Sequence, residues 1–506
     1  MSEKEKLLPP TATRAAIQPA DSGRILTRRT SDTRLTTVTY SVAIALMGSL
    51  LFGFAIGYSS PVISDLQGKK NGTKESGPDF RERAYLYKTL YQGIFSALMP
   101  LGALVGAPLA GWLVDYVGRK RSLLLCSVPL AMGWLLTVLS HIPADHHTPV
   151  LVLLFAGRFI VGIGVGSVSL CIPLYISEIT PTSLRGLYGA ANQLCVTIGL
   201  FAAEMIGTYV DYYWLAMIPL GVTTIFAIFS LSLKETPRWL ISQGKNLEAG
   251  RVLLWLRGRN YDVTNEQREI EDQVHSERKL TFQETVQEFK TRPVYYPLIL
   301  AMMLMFFQQF SGINAVVFNA EDIFVGVVGN PGLVSSLAVG LTQVLATFCG
   351  VIMTDVLGRR ILLISGGIIM CVSISVAGGY EYLDHVEHDK IAVMGIAGIV
   401  CYNIGFSIGW GALPWLLSSE IIPLRVRGVG MGIATFTNWL LAAFVTGVYK
   451  DYQKLVQPHS AFWSFGLVCL CAAIFTAVFI PETKSKSLED IEKSFEASAV
   501  QRSSEL

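Results

Sequence analysis

The sequence is poor in charge, and the charge it has is balanced. Asp, Glu, Lys and Arg form only 15% of its 506 residues, whereas soluble domains carry about 25%. The chain has 40 basic and 38 acidic residues, and so small an excess does not favour a nucleic-acid partner. All 8 cysteines lie inside apolar runs, which argues against a disulfide framework. These shortages exclude both an ordinary soluble domain and a small disulfide-bonded one.

Motifs of catalysis are also missing from the sequence. We find no Walker phosphate-binding motif, no H-E-x-x-H zinc motif and no hydrolase triad. Gly162, Gly164 and Gly166 superficially resemble a dinucleotide loop, but they lie inside an apolar run with no strand before them, so close helix packing explains them. We therefore expect no enzymatic activity, no cofactor and no bound metal.

Long apolar runs are what the chain has in abundance. Twelve runs are each long enough to cross a bilayer, which takes about 20 residues as a helix. They lie at Tyr40–Ser60, Leu90–Val114, Ser122–Leu139, Val150–Ile176, Leu187–Gly207, Trp214–Leu233, Leu298–Phe318, Leu333–Met353, Ile361–Tyr380, Ile391–Leu417, Val429–Val448 and Phe462–Ile480. The sequence predicts an all-α polytopic membrane protein with two six-helix bundles, residues 40–233 and 298–480.

Lys and Arg predict which side of the membrane each end faces. The N-terminal tail, residues 1–39, and the turns at Gly118–Arg121 and Gly358–Arg360 are basic, which marks the cytoplasmic side. An even number of spans returns the C-terminal tail, residues 481–506, to the same side. Between the bundles, residues 234–297 mix charges with leucines at roughly helical spacing. We predict that this linker forms short amphipathic helices on the cytoplasmic face.

The loop Ser64–Thr89 is the exception to the charge rule. It lies outside if the other assignments are right, yet it carries six basic residues, partly offset by four acidic ones. It also contains the only N-x-[ST] sequon of the chain, at Asn71. Asn71 is a candidate glycosylation site, and the tripeptide alone leaves its use open.

Charged motifs recur in the two halves at matching positions. Asp115–Lys120 after span 2 is repeated by Asp355–Arg360 after span 8. Ser177–Arg185 after span 4 is repeated by Ser419–Arg427 after span 10. Such an echo indicates an internal duplication, and a 6+6 duplication is typical of transporters that rock two bundles about a midplane site.

The duplicated charges predict a lock at the cytoplasmic helix ends. Opposite charges there can pair across neighbouring helices when that side is closed, and several weak pairs can together bias a two-state equilibrium. The alternative is that these residues only set topology and form turns. The predicted lock consists of Asp115, Arg119, Glu178, Arg185, Asp355, Arg359, Glu420 and Arg427.

Uncharged polar side chains inside the spans predict a ligand site. Polar groups are costly in lipid unless they have partners, and amides donate and accept hydrogen bonds simultaneously, which matches sugar hydroxyls. The candidates are Gln193 in span 5, Gln308, Gln309 and Asn314 in span 7, and Gln343 in span 8. Because a helix turns about 100° per residue, Gln309 and Asn314 reach one ligand only if span 7 loosens at Ser311-Gly312.

Span 10 is predicted to break. Gly409, Gly411 and Pro414 lie within six residues of one another, which is too many helix breakers for a rigid rod. We interpret this segment as a gating break, with Trp415 offering an apolar face to the CH side of a pyranose.

Together these residues resemble the sugar porters of the major facilitator superfamily. The likeness lies in Gly157-Arg158, Pro173–Arg185, Glu235–Arg238, Gln308–Asn314 and Pro481–Lys484, and it is strongest to the class III facilitated glucose transporters. The resemblance implies the major facilitator fold and hexose transport. It implies sugar contacts at Gln193, Gln308, Gln309, Asn314 and Trp415, and also at Gln343 and Trp439.

Departures from the family leave the sugar and its coupling open. Ser407 and Ala442 stand where better-known hexose facilitators have Glu and Asn, and Ala55 stands where proton-driven members have Asp. We expect facilitated diffusion of a hexose, with D-glucose as the favoured substrate. A proton-coupled carrier, with Glu204 as a proton site, or a trehalose-type carrier remains an alternative. A sugar-sensing receptor is the alternative of another class, although a C-terminal tail of 26 residues is short for signalling.

The N-terminal tail contains an acidic dileucine pattern formed by Glu3, Leu7 and Leu8. Two leucines can fill an apolar pocket of an endocytic sorting adaptor while the acidic residue meets a basic patch. Class III members keep such a motif and reside in endosomal or lysosomal membranes. The resemblance therefore implies sorting adaptors as partners and a vesicle membrane as the main location, with some protein at the cell surface.

Overall fold

A computed structural model of the protein describes residues 35–66, 89–141, 147–181, 184–258, 261–276, 282–319, 333–334, 336–383, 392–484, 486, 490–491 and 495. Within these ranges all regular secondary structure is helical. Twelve of the helical stretches are long and apolar enough to cross a membrane, which confirms the predicted all-α polytopic fold. The sorting motif at Glu3, Leu7 and Leu8 and the sequon at Asn71 lie outside the described residues.

The observed spans overlap the predicted ones, and their ends differ by at most eight residues, in either direction. They run Thr36–Asp65, Tyr91–Tyr116, Arg119–Leu139, Pro149–Ile179, Arg185–Gly207, Tyr212–Ser230, Arg292–Phe318, Ser336–Thr354, Arg359–Leu383, Met394–Ile421, Arg427–Val456 and Pro458–Phe479. Span 11 continues eight residues beyond the predicted Val448 and includes Lys450 and Asp451. Hydropathy underestimates such ends, because a helix continues past the hydrocarbon layer with polar residues.

Glycines let spans 2 and 4 pack backbone against backbone. A Cβ atom added to Gly162 would lie 2.3 Å from the carbonyl oxygen of Met99, and one added to Gly166 would lie 2.3 Å from that of Ala103. Gly164 packs against span 3, where an added Cβ would lie 2.6 Å from the side chain of Leu130. Close helix packing is thus confirmed as the explanation of these three glycines.

The two halves touch near the helix ends that lie far from the charged turns. Gly93, close to the start of span 2, packs against Gly447 of span 11, where an added Cβ would lie 2.4 Å from the carbonyl oxygen. Gly340 of span 8 packs against span 5, where an added Cβ would lie 2.7 Å from a carboxylate oxygen of Glu204. About 35 Å of helix separates Gly93 from the turn after Tyr116. These contacts therefore join the halves on the side predicted to be outer.

Two spans are interrupted where the sequence predicted a break. Span 7 consists of helices Arg292–Phe310 and Ile313–Phe318, joined through Gly312 with φ 89°. Span 10 consists of helix Ala392–Gly405, a π-helical turn at Phe406–Trp410 and helix Leu413–Ile421. Non-helical backbone at this depth is tolerated only where protein or water satisfies it.

Short helices lie between spans 6 and 7 and contact both halves. They are Pro237–Ser242, Asn246–Arg257, Thr264–Ser276 and Phe282–Glu288. The buried guanidinium of Arg257 donates to the carbonyl of Ile179 in span 4 at 2.9 Å and pairs with Glu266 at 2.7 Å. On the other side, Glu288 pairs with Arg425 after span 10 at 3.3 Å. That this layer faces the cytoplasm stays a prediction from charge.

Candidate functional site

Amide side chains of spans 7 and 11 form one hydrogen-bonded network, which we call the amide cluster: Gln308, Gln309, Asn314 and Asn438. The Asn438 amide donates to Gln308 Oε1 at 2.6 Å, and its Oδ1 accepts from Gln309 at 3.1 Å. The Asn314 amide donates to Gln309 Oε1 at 2.6 Å. Gln308, Gln309 and Asn438 are buried, whereas Asn314 is half-buried.

The break in span 7 is what brings Gln309 and Asn314 together. On an unbroken helix, five residues would place these two side chains about 140° apart. The left-handed conformation of Gly312 re-aims the helix that follows, so Asn314 reaches back to Gln309. A side chain at position 312 would be strained, since its Cβ would also lie 2.5 Å from the ring of Phe465.

Spans 7 and 10 each donate a side-chain hydrogen bond to carbonyl groups at the break in the other span. Nε2 of Gln308 donates to the carbonyls of Trp410 and Gly411, at 2.8 and 3.0 Å, where the π-helical turn of span 10 ends. In return, the hydroxyl of Tyr402 in span 10 donates to the carbonyl of Ser311 at 2.9 Å. Gln308 therefore has a role in holding the backbone of span 10, in addition to any role in binding.

Asn438 is the member of the cluster that sequence reasoning missed. It is 2% exposed and links the two glutamines of span 7. The available signal was an amide inside an apolar run, the same signal that selected Gln308. The family resemblance points instead to the adjacent Trp439, whose ring packs against Phe52 of span 1 with 6.0 Å between centroids.

The other predicted ligand residues lie on neighbouring spans. Gln343 is buried in span 8, and Trp415 is half-buried in the helix Leu413–Ile421 of span 10. Gln193 is half-buried in span 5 of the other half. Among the described residues, neither Oε1 of Gln343 nor the indole N–H of Trp439 has a hydrogen-bond partner. The hydrogen-bonded network thus joins three of the predicted residues, and the remaining four stand outside it.

At the charged end of the N-terminal half, Arg119 and Glu178 form a two-pronged ion pair. Nε and one terminal nitrogen of Arg119 lie 2.9–3.1 Å from the Glu178 carboxylate, which also accepts from the Thr236 hydroxyl at 2.5 Å. Asp115 lies 3.6 Å from Arg119, with its side chain 75% exposed. Arg119 and Glu178 therefore tie the start of span 3 to the end of span 4.

Glu235 caps the start of span 3. Its carboxylate accepts from the backbone N–H groups of Arg119 and Lys120, at 2.7 and 3.1 Å. These are N–H groups that the first turn of a helix leaves unpaired. Burial raises the pKa of Glu235 above its usual range, although these hydrogen bonds and the Arg119 charge oppose the shift.

The C-terminal half repeats this arrangement. Arg359 lies 3.5 Å from Glu420, which accepts from the Thr483 hydroxyl at 2.6 Å. Glu482 accepts from the backbone N–H groups of Arg359 and Arg360 at 3.2 and 3.0 Å. Partial burial raises the pKa of Glu482, but four backbone hydrogen bonds outweigh it, and the net shift is downward.

The remaining lock residues are Arg185, Arg427 and Asp355. Arg185 is exposed at the start of span 5 and has no ion-pair partner within the described part of the chain. Arg427 donates to the carbonyl of Ile422 at 3.3 Å. The side chain of Asp355 lies outside the described residues. Both Arg–Glu pairs join helices of one half, so a role in closing the cytoplasmic side stays a prediction.

We expect Asn438→Leu to destabilise the protein. The substitution leaves Oε1 of Gln308 and one N–H of Gln309 buried without their partner, at about 1–3 kcal/mol each. Thermal unfolding in detergent measures the effect. Thr446→Val is the matched control, because the buried Thr446 hydroxyl bonds only within span 11, to Ala442 and Ala443. Equal melting temperatures for the two variants would contradict the assigned linking role.

Comparison with known proteins shows which family this chain belongs to. The family described as "Sugar (and other) transporter" matches residues 41–495. The solute carrier family 2 facilitated glucose transporter member 8 of Mus musculus is 37% identical over 474 residues, covering 89% of this chain and 93% of that protein. The facilitated trehalose transporter Tret1 of Apis mellifera ligustica is 33% identical over 498 residues, covering 96% and 95%.

Solved structures share the fold. The proton:xylose symporter XylE bound to 6-bromo-6-deoxy-D-glucose superposes with a TM-score of 0.73 at 25% identity, covering 91% of this chain and 99% of that one. The inward-open xylose transporter XylE from E. coli gives a TM-score of 0.73 at 23% identity, covering 90% and 99%.

Proposed function

Since the chain belongs to the sugar transporter family, and is therefore a multi-pass membrane transporter rather than an enzyme, we propose that it is a hexose uniporter. D-glucose is the favoured substrate, carried by alternating access as the two halves rock about a central site. The observation that carries the proposal is the amide cluster at the paired breaks of spans 7 and 10.

The chemistry of the cluster suits a neutral, hydroxyl-rich ligand. Amides offer donors and acceptors together, and no member of the cluster carries a charge that would suit a cation or a phosphosugar. Asn314 is half-buried and has hydrogen-bonding capacity beyond its bond to Gln309. Gln193 from the other half would complete the site, and Trp415 would stack on the CH face of the ring.

Uniport is favoured by the surroundings of Arg158, the buried arginine of span 4. Its guanidinium donates to the backbone carbonyl of Ala55 at 2.7 Å and to the hydroxyl of Ser59, and it lies 5.0 Å from the ring centre of Phe95. Ala55 occupies the place of the proton-carrying Asp of driven porters, and its side chain cannot titrate. Glu204, buried against Gly340, supports the proton-coupled alternative.

The choice of glucose rests on the names of similar proteins. Facilitated glucose transporters named member 8 are 36–37% identical to this chain, and trehalose transporters named Tret1 are 32–34% identical. A trehalose-type carrier is therefore the second candidate. A sugar-sensing receptor would bind sugar without flux, so counterflow of labelled hexose in proteoliposomes separates it from a carrier.

We expect Gln193→Leu to reduce hexose uptake at least tenfold without lowering the melting temperature, because Gln193 does not hold a broken helix end. Asn314→Ala should reduce uptake as strongly but also lower the melting temperature, because it leaves the buried Gln309 Oε1 without its donor. Gln308→Leu should abolish uptake and also destabilise the protein, since it frees the carbonyls of Trp410 and Gly411. Ile299→Ala, on the exposed face of span 7, is the control. Normal uptake by all three variants at equal surface expression would refute the site.

Uptake should not respond to a proton gradient. Proteoliposomes that contain the protein, with a proton gradient directed inward, should take up labelled glucose only until its concentration is equal inside and outside. An uncoupler should not change this result, because the side chain of Ala55 cannot carry a proton. Accumulation above equilibrium that collapses on adding uncoupler would contradict uniport, and its loss in Glu204→Gln would identify the coupling residue.

We propose that the protein resides mainly in endosomal or lysosomal membranes, sorted through Glu3, Leu7 and Leu8. Replacing Leu7 and Leu8 together by Ala should raise the surface fraction several-fold by removing the two side chains that fill an adaptor pocket. Surface biotinylation measures this fraction. An unchanged fraction means that the motif is silent. In the same blots, a glycosidase-sensitive mobility shift that is absent in Asn71→Gln tests glycosylation.

A further inference from the structure

Three buried polar side chains on spans 8 and 10 have atoms that lack hydrogen-bond partners among the described residues. They are Gln343 at Oε1, Asn403 at both Oδ1 and Nδ2, and Ser407 at its hydroxyl. Their exposed fractions are 8%, 0% and 6%. An unpaired buried group costs about 1–3 kcal/mol, and native proteins keep few of them without a functional reason. We call these three residues the outer polar group.

The outer polar group lies along facing sides of two packed helices. Gly350 of span 8 packs against the backbone of Ser407 and Ile408, with an added Cβ 3.2 Å from the Ser407 carbonyl oxygen. Asn403 precedes Ser407 by four residues, and Gln343 precedes Gly350 by seven, so each lies on the same face as its neighbour. Spans 8 and 10 run in the same direction. Gln343 and Asn403 therefore both lie on the outer side of this contact.

The outer polar group continues the amide cluster towards the outer side. The next positions on this face of span 10 after Ser407 are Trp410 and Gly411, whose carbonyls accept from Gln308. Asn403 lies about 10 Å along the helix axis from these carbonyls. Asn403 therefore lies about two helical turns from the backbone that Gln308 holds, close to the face that carries Ser407.

We propose that Asn403 is a sugar-binding residue that sets substrate preference. Its amide would donate to one sugar hydroxyl and accept from the same or a neighbouring one, with Ser407 and Gln343 beside it. The three residues are uncharged, so they suit a hydroxyl-rich neutral ligand rather than a cation or a phosphate. Asn403 belongs to none of the repeated motifs and to no bond of the amide cluster. This inference rests on the proposed function.

The test compares binding with stability in the full-length protein. Asn403→Leu should raise KM for D-glucose uptake about tenfold. The melting temperature without sugar should stay the same or rise, because an unpaired buried amide is removed. The rise in melting temperature that saturating glucose gives the wild type should shrink at the same sugar concentration. Asn403→Ala provides the same comparison if the larger side chain prevents expression.

The matched control is Ser418→Ala. Ser418 is also buried in span 10, but its hydroxyl is satisfied by the Pro414 carbonyl of its own helix at 2.6 Å. This variant should keep the wild-type KM. A series of monodeoxy-glucoses tests which sugar hydroxyl Asn403 recognises. The wild type should bind one member about tenfold more weakly than glucose, and Asn403→Leu should bind that member and glucose equally.

Two results would overturn the inference. If Asn403→Leu lowers the melting temperature without sugar and leaves KM and the deoxy-sugar discrimination unchanged, Asn403 has a structural role only. If the wild type shows neither uptake of nor thermal stabilisation by glucose or trehalose, the proposed function fails and this inference with it. Uptake by the wild type together with an unaffected variant refutes the role of Asn403 alone.

Discussion

The requirement that every backbone group inside a membrane find a partner organises the centre of this protein. Spans 7 and 10 both leave helical geometry at similar depth, and lipid offers nothing to the freed carbonyls. Gln308 satisfies those of Trp410 and Gly411, while Tyr402 satisfies that of Ser311. Each break therefore depends on the other. The amides cluster here for two reasons. The freed carbonyls of span 10 accept hydrogen bonds from Gln308, and the turn at Gly312 directs Asn314 towards Gln309.

The charged ends serve a different purpose in the same architecture. In each half, a glutamate caps the start of one span through backbone N–H groups, while an Arg–Glu pair ties that span to its neighbour. These bonds stay within a half, so they favour two bundles that move as units. The halves meet at Gly93 and Gly447, far from the charged turns.

The sequence singled out three of the four amides that meet in the structure, and their role in binding stays a prediction. Gln308, Gln309 and Asn314 stood out because amides are rare in apolar runs, and the break at Ser311-Gly312 followed from helix geometry. Asn438 carries the same signal, although the family resemblance points to its neighbour Trp439. Arg185 was predicted to pair and is exposed. A charged residue at a helix end indicates which side of the membrane that end faces, but it does not indicate which residue will be its ion-pair partner.

The sequence by itself determined the number of spans, the duplication into halves and the family, because hydropathy and repeated motifs are local properties of the chain. Only the tertiary structure decided that Asn438 links two glutamines about 130 residues away, that Gln308 donates to the backbone of span 10, and that Asn403 is buried in span 10 without a hydrogen-bond partner among the described residues. Hydrogen-bond partners on different helices depend on how those helices pack and rotate. That arrangement is a property of the whole bundle, which no single segment encodes.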